Sequence, residues 1–334
     1  MMPPTDQFDS HALNLIRSGA PVLTGVSGGR DSMALLTLLS ELKGCRPVVC
    51  HVHHSLRPEA DEEARFVRDY AAHLHLPCVW RQVDVRQLAQ SGGISIEEAA
   101  RQARQMLFHE WSKQFPGAIV ALAHHRNDQQ ETALLHACRG GSGLHGMSPV
   151  STWANGLTVV RPLLEVSREE ITSYLTTRGI PWKEDASNQS TEYVRNALRH
   201  DVIPILNAIF QRDTSLSFGR ACRLEQQTRT ALYQALEMMN LEDPQGRLYL
   251  PAVNRLPPEL KQCAVHHYLR QKGIAGLSEE AVLRVMSLLT AKGPSRTALP
   301  GGKLAVRKEK RLFVTDAPPI NTTEPPPEDT AGGI

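Results

Sequence analysis

Ser27-Gly28-Gly29-Arg30-Asp31-Ser32 joins the apolar, β-rich residues 21–26 to the stretch 31–42, where Met33, Leu35, Leu36, Leu38 and Leu39 are apolar. A strand, a glycine turn and a helix start thus follow one another. Gly28 and Gly29 let the backbone turn tightly and approach a ligand closely. The helix behind them offers free N–H groups and a partial positive charge, which together suit an anion. Ser27 and Ser32 add hydroxyl donors. Asp31 would repel a phosphate directly, and makes sense where a Mg²⁺ sits between the two. No Gly-Lys-Ser/Thr follows, so this is not a Walker A loop.

The pattern continues outward from this loop. Residues 47–52, 79–83, 118–123 and 157–160 read as strands. Residues 60–74, 95–115, 128–138 and 167–178 read as helices, with capping boxes at Ser95/Glu98 and Ser167/Glu170. Strands separated by such helices imply βαβ units and a parallel sheet covered on both faces. Ligands of such sheets bind beyond the carboxyl ends of the strands. After about residue 185 the strand signals stop. Residues 195–208, 212–239, 258–271 and 278–289 read as helices, and 303–314 as a hairpin after Gly301-Gly302. The expected organisation is an α/β domain over 1–214, a smaller, mainly helical domain over 215–316, and a proline-rich, disordered tail over 317–334.

The 334 residues carry a net charge of +2, with 41% apolar and 22% charged residues. This is ordinary for a globular protein with a core, and too mild to argue for or against nucleic acid. The six cysteines form no C-x-x-C pair, which points to reduced thiols in the cytoplasm rather than a disulfide framework or zinc knuckle. No signal peptide and no membrane span are expected.

Two further constellations fall at strand ends. His51-Val52-His53-His54 follows the second strand and reads as pocket lining rather than a zinc site. His124-His125-Arg126-Asn127-Asp128-Gln129-Gln130-Glu131-Thr132 follows the strand 118–123. There Asp128 and Glu131 share a helical face, beside two histidines, in a pattern suited to a metal or an amine. Arg101 and Arg104 sit one turn apart. Arg195 and Arg199 fall at i and i+4, placed to hold pyrophosphate or RNA phosphate. Gly141-Ser142-Gly143-Leu144-His145-Gly146 spells G-x-G-x-x-G, but it follows a helix rather than a strand and so lacks the dinucleotide mechanism. It is expected to form a flexible loop near the site.

Ser27–Ser32 matches the S-G-G-x-D-S signature of PP-loop ATP pyrophosphatases. Taken in order, that loop, HVHHSLRP (51–58), residues 98–104, 124–132, RGGSGLHGM (139–147), RPLLEVS (161–167), 184–188 and 195–200 resemble the tRNA(Ile)-lysidine synthetase family, in its short form. Departures are His53 for the usual Asn, Asn127 for Asp, and Gln105 for Tyr. The resemblance implies an adenine nucleotide alpha hydrolase-like fold. It implies ATP as co-substrate, Mg²⁺, free L-lysine, and an isoleucine tRNA with a CAU anticodon. ATP would adenylate C2 of the wobble cytidine, and the lysine ε-amine would displace AMP. In that scheme Ser27, Gly28, Gly29, Arg30, Asp31 and Ser32 hold phosphates, with His51 and His53 lining the nucleotide pocket. Asp31 and Asp128 position Mg²⁺. Asp128 and Glu131 bind or deprotonate the amine. Arg104, His124, Arg195 and Arg199 meet phosphate or tRNA. The helical domain, with Lys303, Arg307, Lys308, Lys310 and Arg311, grips tRNA. Oligomeric state is left open, a homodimer included. The rivals are a tRNA thiolase, which would carry C-x-x-C pairs, and a non-catalytic tRNA-binding relative.

Overall fold

A computed structural model describes residues 7–56, 59–140, 143–184, 194–274, 276–290 and 292–316. The expected tail 317–334 and the block 185–188 lie outside the described residues. The chain divides into two compact units, 1–227 and 228–334.

The first unit is built on a six-stranded sheet of order β3-β2-β1-β4-β6-β5. Its strands are β1 (Pro21–Gly25), β2 (Arg46–His53), β3 (Cys78–Gln82), β4 (Ile119–Ala121), β5 (Val150–Thr152) and β6 (Thr158–Val160). All neighbours pair in parallel except β5 with β6. Helices α1 (Ser10–Ile16), α2 (Arg30–Glu41), α3 (Ala60–His73), α4 (Val85–Gly92), α5 (Ile96–Gln114), α6 (Arg126–Cys138) and α7 (Arg168–Thr177) complete the α/β body. After it come α8 (Val194–Ala197), a π-turn (Leu198–Val202), α9 (Ile203–Phe210) and α10 (Ser215–Met238).

Alternation along the strands supplies both faces of the sheet. Val22, Ala121 and Val160 pack with Ala12 and Ile16 of α1, Leu35 and Leu39 of α2, and Tyr174 of α7. Leu23, Val120 and Val159 pack on the other side with Leu107, Phe108 and Trp111 of α5. Burying each large side chain contributes about 1.5–3 kcal/mol. The order of strands reverses direction at β1, with β2 on one side and β4 on the other. A crevice opens beyond the carboxyl ends of strands at such a point. Both the Ser27–Ser32 loop and the His124–His125 pair lie there.

The structure amends several local expectations. Helix α4 and strand β5 were not foreseen. The Ser95 cap is only half of a capping box: Ser95 Oγ accepts from Glu98 N–H, but the Glu98 carboxylate turns to Arg101 and Gln102 instead. The Ser167/Glu170 box is complete. The helix expected over 195–208 is interrupted by the π-turn.

In the second unit, α11 (Leu250–Val253), α12 (Pro258–Gln271) and α13 (Glu279–Ser287) accompany a four-stranded antiparallel sheet, order β7-β10-β9-β8. Its strands are β7 (Leu248–Tyr249), β8 (Arg296–Leu299), β9 (Lys303–Lys308) and β10 (Arg311–Asp316). The foreseen hairpin is β9–β10, extended on both sides. Val265, Leu269, Val285, Ala305 and Leu312 are buried in its core. Three of the hairpin's cations are engaged internally. Lys303 pairs with Asp316, Arg311 with Asp243 at 2.9 Å, and Arg307 donates to the carbonyls of Thr290 and Gly293. Lys308 and Lys310 are exposed. Among the described residues no helix is long and apolar enough to cross a membrane.

Candidate active site

The loop after β1 is held open by its own side chains. Gly28 has φ +90°, and a Cβ there would stand 3.3 Å from Val67 Cγ2. Lys183 N–H donates to Gly28 O at 2.9 Å, pinning the far side of the turn. Ser27 Oγ accepts from Gly29 N–H, and Ser32 Oγ donates to Gly29 O at 2.9 Å. Helix α2 starts at Arg30 with Gly29 as N-cap and no side-chain cap. Its first N–H groups are thus presented to an anion.

Asp31 stands in the first turn of α2. Arg30 Nε lies 3.0 Å from Asp31 Oδ1, and His125 Nε2 lies 3.6 Å from Asp31 Oδ2. Burial opposes ionisation of Asp31, but His125 and Arg30 outweigh it and hold the carboxyl below its ordinary range. His125 is also 3.6 Å from Asp128 Oδ2. Burial disfavours the imidazolium, yet Asp128 and Asp31 together raise the His125 pKa. One buried histidine therefore sits between two carboxylates contributed by two helix starts.

The first turns of α6 bind α7, α10, the π-turn and neighbouring loops in succession. His125 N–H donates to Asp128 Oδ2 at 2.9 Å, completing a capping box. Arg126 donates to Glu165 O at 3.0 Å and Ser215 Oγ at 3.2 Å. Asn127 Oδ1 accepts from Arg168 N–H, the first residue of α7. Gln129 holds both N–H and C=O of Met147. Gln130 donates to Thr214 Oγ1 at 2.7 Å. Glu131 Oε1 accepts from Arg199 Nε at 2.6 Å, and Arg199 Nη2 is 3.5 Å from Asp128 Oδ1. The Asn127 departure is thereby explained, because an amide oxygen caps α7 as well as a carboxylate would. The expected flexible loop is likewise tied down at its end: a Cβ on Gly146 would lie 2.5 Å from Gln129 Oε1, so only glycine fits there.

Glu131 is 1% exposed, and its Oε2 has no hydrogen-bond partner. Burial raises its pKa despite Arg199. A buried acceptor of this kind costs about 1–3 kcal/mol unless a donor meets it.

The other site residues from the sequence are spread around this centre. His51 Nδ1 donates to Val26 O at 2.8 Å, linking β2 to the loop, and its Nε2 is unpartnered. His53 Nε2 is 3.1 Å from Asp61 Oδ1. Desolvation, aided by neighbouring arginines, lowers His54 and His124 to about 4, so both are neutral near pH 7. Arg104 is desolvated and acts electrostatically on both histidines. Arg195 lies 3.8 Å from Glu97 and acts electrostatically on His124, while the π-turn directs Arg199 to Glu131. Sequence reading missed His125 as the shared partner of Asp31 and Asp128; its position opposite the Asp31 loop, at an adjacent strand end, was the available signal. It also missed Arg126, Gln129, Gln130 and Arg161. Arg161 donates to Ser148 O at 2.8 Å and Ser151 Oγ at 2.9 Å.

Among the described residues no group of three or more histidine, cysteine or acidic side chains is arranged to hold a metal. Mg²⁺ commonly takes only one or two carboxylates, with phosphate oxygens and waters completing its octahedron. Asp31 and Asp128, both within 3.6 Å of one histidine nitrogen, suit that donor set.

Residues 4–206 match the family model of the PP-loop domain. The chain is 35% identical over 289 residues to a tRNA(Ile)-lysidine synthase of Deinococcus deserti, covering 86% of this chain and 52% of the relative. It is 34% identical over 296 residues to one of Thermus thermophilus, covering 88% and 56%. It thus spans about half the length of these curated relatives. In fold it is similar to the U34-tRNA thiolase NcsA of Methanococcus maripaludis, with TM-score 0.50 and 12% identity over 64% of this chain and 77% of that one. Strand order, an uncapped glycine turn after β1, and the match over 4–206 together place this chain in the PP-loop domain family.

Proposed function

We propose that this chain catalyses ATP-dependent attachment of L-lysine to C2 of the wobble cytidine in a CAU-anticodon isoleucine tRNA, as the names of its relatives suggest. The observation that carries the reading is Glu131 Oε2, a buried, unpartnered carboxylate oxygen one turn from Asp128, at the crevice where the uncapped α2 begins. The first feature suits an ammonium group, the second a polyphosphate.

In the first step the cytidine O2 bonds to the α-phosphorus of ATP, and the bond to the β-phosphate oxygen breaks, releasing pyrophosphate. The Gly28–Gly29 turn, Ser27, Ser32 and the α2 N-terminus hold the phosphates. Arg30, and His125 when protonated, place positive charge beside Asp31 as negative charge shifts to the leaving group. Mg²⁺, held by Asp31 and Asp128, would neutralise phosphate charge when bound. Neutral His124 and Arg104 flank the same crevice, with Arg104 and Arg195 available to phosphate. In the second step the ε-amine attacks C2 and AMP leaves with the C2–O bond. Glu131, whose raised pKa makes it a better base than an ordinary carboxylate, takes a proton from the ammonium. Arg199 fixes Glu131 and limits how far that rise goes.

On this reading residues 1–214 are the catalytic part and 215–316 the tRNA-gripping part, with Lys308 and Lys310 exposed for phosphate. The enzyme works in the cytoplasm, as a monomer or a homodimer. The test is incorporation of labelled lysine into an unmodified CAU-anticodon isoleucine tRNA transcript. Incorporation that requires ATP, Mg²⁺ and the wobble cytidine is expected. AMP formation with no lysine transfer would move the chain to another PP-loop chemistry.

A further inference from the structure

The second unit holds a cavity of about 160 Å³ that the reaction above does not use. Its floor is apolar and buried, made by Leu236, Leu241 and Leu248. Its rim is polar, with Glu237, Asn240, Glu242 and Gln271. His267 also lines it, and stacks on Tyr233 with ring centroids 4.2 Å apart and an interplanar angle of 26°. An apolar slot with a few convergent polar groups is the ordinary form of a site for a flat heteroaromatic ligand.

The polar groups favour donors on that ligand. Glu237 Oε1 accepts from Gln271 Nε2 at 3.2 Å and lies 3.2 Å from His267 Nε2. Gln271 Nε2 is in turn 3.0 Å from His267 Nε2. These bonds aggregate the three side chains. Glu242 and Tyr268 also line the cavity, but Glu242 is paired with Lys272 at 3.2 Å and the Tyr268 hydroxyl donates to Gly246 O. Glu237 Oε2, the Gln271 carbonyl and the Asn240 amide are thus the groups offered to a ligand. Two acceptors beside one amide donor complement a ring N–H next to an exocyclic amine, with a carbonyl beyond. Among the RNA bases only guanine carries that edge. Arg229 and Arg270 lie close enough to Tyr233 to act on its phenol, so cationic groups flank the stacked rings. Aromatic stacking, edge hydrogen bonds and nearby arginines are how proteins read splayed bases in RNA.

We propose that the cavity bounded by Leu236, Glu237, Asn240, His267 and Gln271 is a pocket for an unpaired or extruded guanine of the tRNA. This rests on the tRNA reading above and adds a base-specific contact remote from the wobble position.

The experiment uses the full chain. Saturation-transfer NMR with GMP, AMP, CMP and UMP in competition reports base preference. Filter binding of the CAU isoleucine transcript is measured for wild type, Glu237→Gln and Gln271→Ala. Glu237 and Gln271 are exposed, so both variants fold. GMP is expected to displace the other three. Glu237→Gln, which replaces one acceptor by a donor, is expected to weaken tRNA binding about tenfold, with lysine incorporation at saturating tRNA unchanged. Equal binding of the four nucleotides, or unchanged tRNA affinity in both variants, overturns the pocket. If wild type does not bind the transcript at all, the functional reading fails, and the nucleotide competition alone then decides the pocket.

Discussion

Two helices of the first unit begin in opposite ways. α2 opens on Gly29 with no side-chain cap, whereas α7 opens on Ser167 with a full capping box and a further acceptor, Asn127 Oδ1, on its first N–H. Both starts have the same backbone physics: unpaired N–H groups and a partial positive charge. What differs is what satisfies them. At α7 the chain does so itself, and the helix is a strut. At α2 the chain withholds a cap and places Asp31 among compensating cations, so the start is left for an anion. An uncapped helix start that lies at a strand end and carries Asp31 among compensating cations is therefore where chemistry is to be sought.

The comparison is broken most severely by removing the carboxylate. Asp31→Ala is expected to lower lysine incorporation roughly a thousandfold, in a protein that is less stable but still folded at the assay temperature. Near-normal turnover would remove Asp31 from the site. The next largest effect comes from making α2 resemble α7. Gly29 has φ −74°, which any residue tolerates, and a Cβ there would stand 3.3 Å from Ser27 Oγ, so Gly29→Asp supplies a cap once that hydroxyl shifts by a few tenths of an ångström. Stability should rise by a few tenths of a kcal/mol, at about the size of an N-cap gain over glycine. Pyrophosphate release should fall about a hundredfold, because a fixed carboxylate then occupies the anion's place. Retained activity would show that α2 does not hold phosphate.

A third test uses pH. Asp31 is held below 3.8, so its contribution to stability is present above that value and lost as pH falls through its depressed folded pKa. His125 is raised above 6.5, so its contribution is present below 6.5 and lost as pH rises through its folded pKa. The stability gap between wild type and His125→Gln, from urea unfolding, should be widest between these limits and narrow on the alkaline side. A gap that stays constant from pH 6 to 9 would mean that the ion pairs do not form. The smallest effect is at the strut. Ser167→Ala should cost about 1 kcal/mol of stability, with kcat and KM unchanged; a changed kcat would make α7 part of the catalytic machinery.

Much of the α/β body was legible because it rests on local signals. Glycines at 28 and 29, apolar runs at 21–26 and 118–123, and the Ser167/Glu170 spacing each report on their own neighbourhood. What escaped depends on partners far along the chain. Glu98 has the spacing of a capping box, but Arg101 and Gln102 compete for its carboxylate. Val85–Gly92 forms a helix because Val85 and Ala89 bury against Ala99 of α5. β5 is antiparallel because it returns directly against β6. At the site, Asp31, Asp128 and Glu131 were legible as acids at strand ends. Their pairing through His125 and Arg199 was not, since it depends on how α2, α6 and the π-turn meet. The i, i+4 spacing of Arg195 and Arg199 likewise did not reveal that their acidic partners differ, Glu97 for one and Glu131 for the other.

That π-turn has a consequence for motion. It spends one residue more than an α-helical turn to bring Arg199 onto Glu131. Relaxing Leu198–Val202 to a regular helix would rotate the residues on one side of it by about 100° relative to the other. The guanidinium would then leave the carboxylate, and Glu131, 1% exposed, would be a buried acid without its cation. The extra residue of the turn is thus what keeps the proposed base compensated.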